Sequence, residues 1–461
     1  MNALFKALSD FGASTAVIAD DGSRLSYQAL AERAADAARG LGHRRTLVAV
    51  ECDNSIGSLC AYVGAVRAQH AVLLIDAALP SELKRAVFER YRFRACWSAA
   101  QRAWDWLSPD AQTPLLHPDL MLLLSTSGTT GSPKLVRLSY KNVEANARSI
   151  IEYLALSPDE RPITALPMHY SFGLSVIHSH LAIGATLLLT AQSIAARPFW
   201  DFFKAESATS FSGVPIMYEM LRRLRFDRME LPSLRALTQA GGRLAPESVS
   251  YFASLTQARN QRFWVMYGQT EATARMAYLP PAYAAHKPSS IGGAIPGGSF
   301  KLIDPTGDVI TTPASEGELI YVGQNVMMGY ANGPEDLASG DVLQGELVTG
   351  DLAWYDEDGF YYISGRLNRF IKVFGNRVGL DEVESFAKAN GLQAAATGKD
   401  DLLVLAVVAP PRSPADIGAE IARQYRLHHS AVRVVTVSGF PISSAGKIQY
   451  RLLLEQSLSS A

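Results

Sequence analysis

From Ser26 the segment SYQALAERAADAARGLG sets Leu30, Ala34, Ala37 and Leu41 at helical spacing, with Ser26 placed to cap the start and Gly42 to end it. A strand, LVAV, follows from Leu47. Further short apolar runs recur at 71–75, 121–124, 163–166, 185–189 and 263–266, separated by segments that read as helices. This alternation predicts an α/β fold with largely parallel sheets in layers.

After about residue 290 the texture changes. FKLIDPTGDVI, GELIYVG and LAWYDEDGFYYIS alternate apolar and polar positions around Asp-Pro-Thr-Gly and Asp-Glu-Asp-Gly turns, which predicts antiparallel hairpins closing the large domain. Beyond Gly365 a new series begins: a hairpin FIKVFGNRV, a helix from Asp381, a strand LLVLAVV, a helix from Ala415, a strand VRVVTV and a last helix from Lys447. The expected organisation is a large N-terminal domain of layered sheets and helices with a hairpin-rich subdomain, residues 1–366, and a small α+β domain, residues 367–461.

Composition changes this picture little. A chain of 461 residues that is 48% hydrophobic has enough apolar material for more than one core. Its 43 basic and 44 acidic residues create no overall field for nucleic acid or an anionic membrane, so an anion site must be built locally. Cys52, Cys60 and Cys96 are spaced like neither a zinc site nor a disulfide framework. The opening MNALFKALSDFG lacks the apolar run of a signal peptide, and the stretch 181–191 is too short to span a bilayer, so a cytoplasmic protein without membrane insertion is expected.

The strongest chemical signal is STSGTTGSPKLV, residues 125–136, directly after the apolar strand MLLL. Glycines among hydroxyl residues, ending in Lys134, make a loop whose N–H groups, hydroxyls and ammonium can surround polyphosphate. The GxxxxGK[ST] spacing of kinases and GTPases is absent both here and around Gly446 and Lys447. YGQTE, residues 267–271, closes the strand RFWVM, where ligands of open α/β sheets gather. QAGGRL at 239–244, TGDLAWYDEDGFYYISGR at 349–366 and PISSAGKIQYR at 441–451 follow in order around these two.

Together these strings resemble the signature segments of the superfamily of acyl- and aryl-CoA synthetases, peptide-synthetase adenylation domains and firefly luciferase, nearer the acid ligases. LSYQAL at Leu25 extends the resemblance to nearly the whole chain. It implies an enzyme that joins a carboxylic acid to AMP from ATP, releases pyrophosphate, and passes the acyl group to a phosphopantetheine thiol of CoA or of an acyl or peptidyl carrier protein, with Mg2+ as cofactor.

Carried over position by position, the resemblance assigns nucleotide binding to Ser125, Thr126, Ser127, Gly128, Thr129, Thr130, Gly131, Lys134, Gly241, Gly242, Tyr267, Gly268, Gln269, Thr270, Asp351 and Arg366. It assigns magnesium to Thr126 and Glu271, and catalysis to Lys447, Thr270 and Lys372. The acyl pocket is expected from His169, Tyr170, Phe172, Val214, Ala240, Gly241 and Met266. A rotating C-terminal lid is implied, with Asn368 at the hinge, where aspartate or lysine is more usual, and Lys372 and Gly375 on the face that lines the thiol channel. Between Met168 and Ser175 no acidic residue stands ready for an α-ammonium group, so a fatty or aryl acid is expected. An amino-acid-adenylating enzyme, a luciferase-like oxygenase and a non-catalytic acyl or nucleotide binder remain the alternatives.

Overall fold

The computed structural model describes residues 5, 7–107, 113–125, 134–367, 369–374, 376–443 and 446–459. They divide into two compact units, one running up to Phe300 and including Tyr321–Leu347, the other holding Lys301–Ile320 and the residues from Val348 on.

Two sheets dominate the first unit. One has nine strands; its parallel interior runs through Arg262–Tyr267, Ala236–Gln239, Ser210–Gly213, Pro162–Ile163, Leu187–Leu189 and Thr15–Ala19. The other has seven strands, with Leu120–Ser125, Ala71–Asp76, Leu47–Cys52 and Ala95–Ser98 parallel and antiparallel partners at both edges. Helices Tyr27–Arg39 and Ile56–Arg67 contribute to one core shared by both sheets, in which Val17 and Leu187 of the first and Val48 and Val72 of the second meet Leu30 and Leu59. Strands buried on both faces read as continuous apolar runs, which is why the sequence reveals those near 47, 71–75, 121–124, 163, 187–189 and 263–266; Thr15–Ala19, Ala95–Ser98, Ser210–Gly213 and Ala236–Gln239 are strands that the reading omits.

Local chemistry fixes the helix starts. The Ser26 hydroxyl accepts from Ala29 N–H as expected, but helix Tyr27–Arg39 ends against Gly40, before the predicted stop at Gly42. Ser139 and Asn142 form a reciprocal capping box at the start of helix Tyr140–Leu154. Cys52, Cys60 and Cys96 are all buried and free. Burial pushes the Cys60 thiol up to about 11 and Cys96 up to about 12, and raises Cys52 as well.

In the second unit the predicted turns form, with Gly307 N–H donating to the Asp304 carbonyl and Gly359 N–H to that of Asp356. The hairpin Phe370–Val373 with Asn376–Gly379 is followed by a sheet in the order Gln393–Lys399, Leu402–Val408, Val432–Val437, with helices Leu380–Ala389, Pro414–Gln424 and Tyr450–Ser459. Two details depart from the sequence reading. Gln393–Lys399 is a strand that the reading omits, and the last helix begins at Tyr450 because Ile448 is still paired with Ile442. No helix among the described residues is long and apolar enough to cross a membrane.

Candidate functional site

Strand ends carry the site in the first unit. Asp76, Ser125, Gly213, Gln239 and Tyr267 each close a strand of one of the two sheets, at its carboxyl end. Chain leaving those ends supplies most of the predicted residues, as expected for open α/β sheets. Thr126, Ser127, Gly128, Thr129, Thr130, Gly131, Asn368 and Gly375 lie outside the described residues.

The segment after Tyr267 turns back sharply. Met276 N–H donates to the Tyr267 carbonyl, and a β-carbon on Gly268 would overlap the Ala274 carbonyl, so only glycine fits there. Ala274 itself sits at φ +95, an unusual value for a residue with a side chain. The turn delivers a short 3₁₀ helix, Thr270–Ala272, whose Thr270 hydroxyl lies 3.1 Å from that of Ser171. The segment expected to bind nucleotide therefore touches the one expected to line the acyl pocket. Gln269 bonds the Tyr267 hydroxyl at 3.4 Å.

Lys134 and Glu271 also converge, through a residue that the motifs do not contain. The Lys134 ammonium stands 3.8 Å from the centroid of the Tyr330 ring, and the Tyr330 hydroxyl donates to Glu271 Oε1 at 2.7 Å. Burial, and then the Glu271 carboxylate, raise the Tyr330 phenol, so it stays a neutral donor. Glu271 fits a magnesium ion by donor chemistry, being a carboxylate with lone pairs to spare. Among the described residues no cluster of three His, Cys, Asp or Glu side chains could hold a metal alone, so phosphate oxygens would have to complete the coordination.

The predicted acyl walls pack on one another. Tyr170 and Phe172 make an edge-on pair with centroids 6.3 Å apart; Gly241, at φ +83, lies so close to the Tyr170 hydroxyl that any β-carbon would collide with it. Val214 borders the same glycine, Ala240 N–H donates to the Gly213 carbonyl, and the Gly242 carbonyl accepts from Gln239. His169 faces Asp76, with Nε2 3.7 Å from Oδ2; burial lowers its pKa and Asp76 opposes that shift.

Behind these walls lies Arg275, 1% exposed, with its guanidinium 4.3 Å from the Phe172 ring centroid. It donates to the hydroxyls of Ser175 and Tyr153 at 3.2 Å each and to the Met266 sulfur, and it forms no ion pair among the described residues. Sequence reasoning missed Asp76, Arg275 and Tyr330, none of which sits in an expected position of a recognised string.

In the second unit Asp351 and Arg366 stand opposite each other in an antiparallel pair, and Arg366 Nε donates to Asp351 Oδ1 at 2.9 Å. Asp351 is 2% exposed while the Arg366 side chain is largely in solvent. Lys372 lies exposed on the hairpin Phe370–Val373, its N–H donating to Asp400. Lys447 lies in the turn closed by the Ile442–Ile448 bridge, its N–H on the Ser443 hydroxyl.

Residues 83–331 match a family model described as AMP-binding enzyme. The chain is 30% identical over 368 residues to the oxalate–CoA ligase of Arabidopsis thaliana, an alignment that spans 76% of this chain and 70% of that one. O-succinylbenzoate coenzyme A synthetase (MenE) from Bacillus subtilis in complex with AMP superposes with a TM-score of 0.80 at 20% identity, covering 98% of each chain. The same enzyme in complex with ATP and magnesium gives 0.78 at 20% identity, over 98% of this chain and 99% of that one. At that identity the superpositions speak for a common fold.

Proposed function

Since the chain belongs to the AMP-binding enzyme family, we propose that its motifs act together as one adenylation site serving free CoA as the acyl acceptor. As an AMP-forming ligase it activates a carboxylic acid with ATP through an acyl-AMP intermediate and transfers the acyl group to a thiol. The observation that carries the site assignment is the meeting of Lys134 and Glu271 on Tyr330.

A carboxylate approaching the α-phosphate brings an anion against a polyanion. Lys134 and Lys447 supply compensating charge in this reading, with Thr270 bonding the α-phosphate. At 4 Å and an effective dielectric near 20, one unit charge is worth about 4 kcal/mol, or about three powers of ten in rate if it acts only on the transition state. Thr126 and Glu271 would hold magnesium, which supplies further positive charge at the phosphate oxygens. Ser125, residues 126–131, Tyr267, Gly268, Gln269, Gly241 and Gly242 bind the nucleotide in this reading, and Asp351 and Arg366 take the ribose. After adenylation, residues 367–461 turn about Asn368, so that Lys372 and Gly375 replace Lys447.

Two observations favour an acid without an α-ammonium group. Phe172, Val214 and Met266 are apolar and buried where the acyl chain is proposed to lie, and Arg275, which forms no ion pair among the described residues, places a cation behind Phe172 that repels a second positive charge. A fatty or aryl acid fits best. Support for CoA comes from the oxalate–CoA ligase relative, and magnesium from the MenE complex.

Pyrophosphate exchange into ATP, run with magnesium across fatty, aryl and amino acids, tests this directly. Exchange with apolar acids, followed by thioester formation when CoA is added, is the expected result. Silence with every acid from a well-folded protein would overturn the adenylation site, whereas exchange without CoA acylation, restored by a carrier protein, would overturn the acceptor alone.

A further inference from the structure

Tyr330 belongs to a strand of three residues, Gly329–Ala331, which is too short to hold its own place. It pairs antiparallel with Leu135–Ser139, the strand that begins right after Lys134, with Tyr330 opposite Val136. Arg137 of that strand is 1% exposed, and its guanidinium donates to the carbonyls of Met328 at 3.0 Å, Tyr330 at 3.2 Å, Gly340 at 3.3 Å and Ser339. A buried guanidinium spending its donors on four carbonyls is a clamp, and it fixes the backbone of Tyr330. Met327, in the same segment, donates its N–H to the Glu271 carbonyl at 2.8 Å.

The consequence lies in what the ring separates. Lys134 and Glu271 carry opposite charges in one site, and a direct pair between them would neutralise both before any phosphate arrived. Instead the ammonium sits on the ring face and the carboxylate on the hydroxyl at the ring's edge, and no ion pair joins the two among the described residues. Each retains its charge for a ligand.

We propose that Tyr330 is a positioning residue for the nucleotide end of the site, seating Lys134 with its ring and Glu271 with its hydroxyl so that cation and carboxylate are preset for a magnesium-bearing triphosphate. The proposal rests on the adenylation reading above. Its two halves separate by substitution, because Tyr330→Phe keeps the ring and loses the hydroxyl, while Tyr330→Leu loses both.

The test is ATP binding by calorimetry, without and with magnesium, for wild type and both variants, with acid KM from the exchange assay beside it. Tyr330→Phe should bind ATP alone as wild type does but lose about tenfold of the tightening that magnesium brings. Tyr330→Leu should show that loss and a further drop of about threefold without magnesium. Acid KM should stay put in both. Should Tyr330→Leu not fold, Tyr330→Met, which fills more of the ring's volume but has neither its π face nor its hydroxyl, takes its place with the same expected losses. Equal losses in Tyr330→Phe and Tyr330→Leu, or a Tyr330→Phe protein with wild-type magnesium dependence, would overturn the role. Failure of wild type to bind ATP would instead bring down the adenylation reading itself.

Discussion

The Tyr170 hydroxyl occupies the space that a β-carbon on Gly241 would need, so this tyrosine and the paired-glycine turn fit only as they stand. Gly241→Ala should push Tyr170 aside and lower kcat/KM for the acid by about tenfold, the order expected for overpacking by one methyl group. ATP KM should move much less. Because the clash is with the hydroxyl, adding Tyr170→Phe should recover part of the loss; a double variant no better than the single one would mean that the backbone at φ +83, and not the tyrosine, sets the effect.

Lys447→Ala should lower adenylate formation by roughly 10²-fold or more, as removal of one transition-state donor does elsewhere. Single-turnover transfer from a supplied acyl-adenylate to CoA should be largely spared. Equal loss in both half-reactions would contradict a lysine that serves only the first.

Asp351 is buried with Arg366 as its partner, and in the proposed ribose role its carboxylate would accept from sugar hydroxyls. Asp351→Asn should raise ATP KM by about tenfold with little change in acid KM. It should also narrow the preference for ATP over 2′-deoxyATP. Steady-state comparison of the two nucleotides checks this, and an undiminished preference would place the hydroxyl contact elsewhere.

Stability should depend on pH through three buried histidines. Burial lowers His178 to about 3, and His70 and His180 to about 4, from an ordinary 6.5. In the window between those values and 6.5 the unfolded chain binds more protons than the folded one, so stability is fully present above 6.5 and falls as pH drops. The slope is up to about 1.4 kcal/mol per pH unit for each histidine. Urea midpoints measured from pH 7.5 to 5 should decline steeply below 6.5; a flat profile would show that these rings accept protons without unfolding.

Much of this architecture is legible in the chain itself. Ser26 caps its helix as the spacing demands, and the runs at Leu47 and 71–75 are strands because burial on both faces leaves no polar position to disguise them. The strand Gln393–Lys399 escapes notice since Ala394, Ala395, Ala396, Thr397 and Gly398 carry little β-forming signal; pairing with Leu402–Val408 decides it. In the site, Thr270, Glu271, Lys134 and Tyr170 announce themselves within strings. Tyr330 does not, since three residues are too few to show alternation and its contacts reach across the sequence. Asp76 and Arg275 are silent for a related reason, each drawing its importance from side chains that only folding brings near.

The sunken cysteines bear on product chemistry. A catalyst that makes mixed anhydrides and thioesters surrounds itself with electrophiles, and any sulfur of its own on the surface would compete with the incoming acceptor. Only thiolates react, and burial pushes the Cys60 thiol up to about 11 and Cys96 up to about 12, so the thiolate is a rare form at neutral pH even if reagent could reach them. Self-acylation is thereby disfavoured, and the activated acid waits for the sulfur offered from outside.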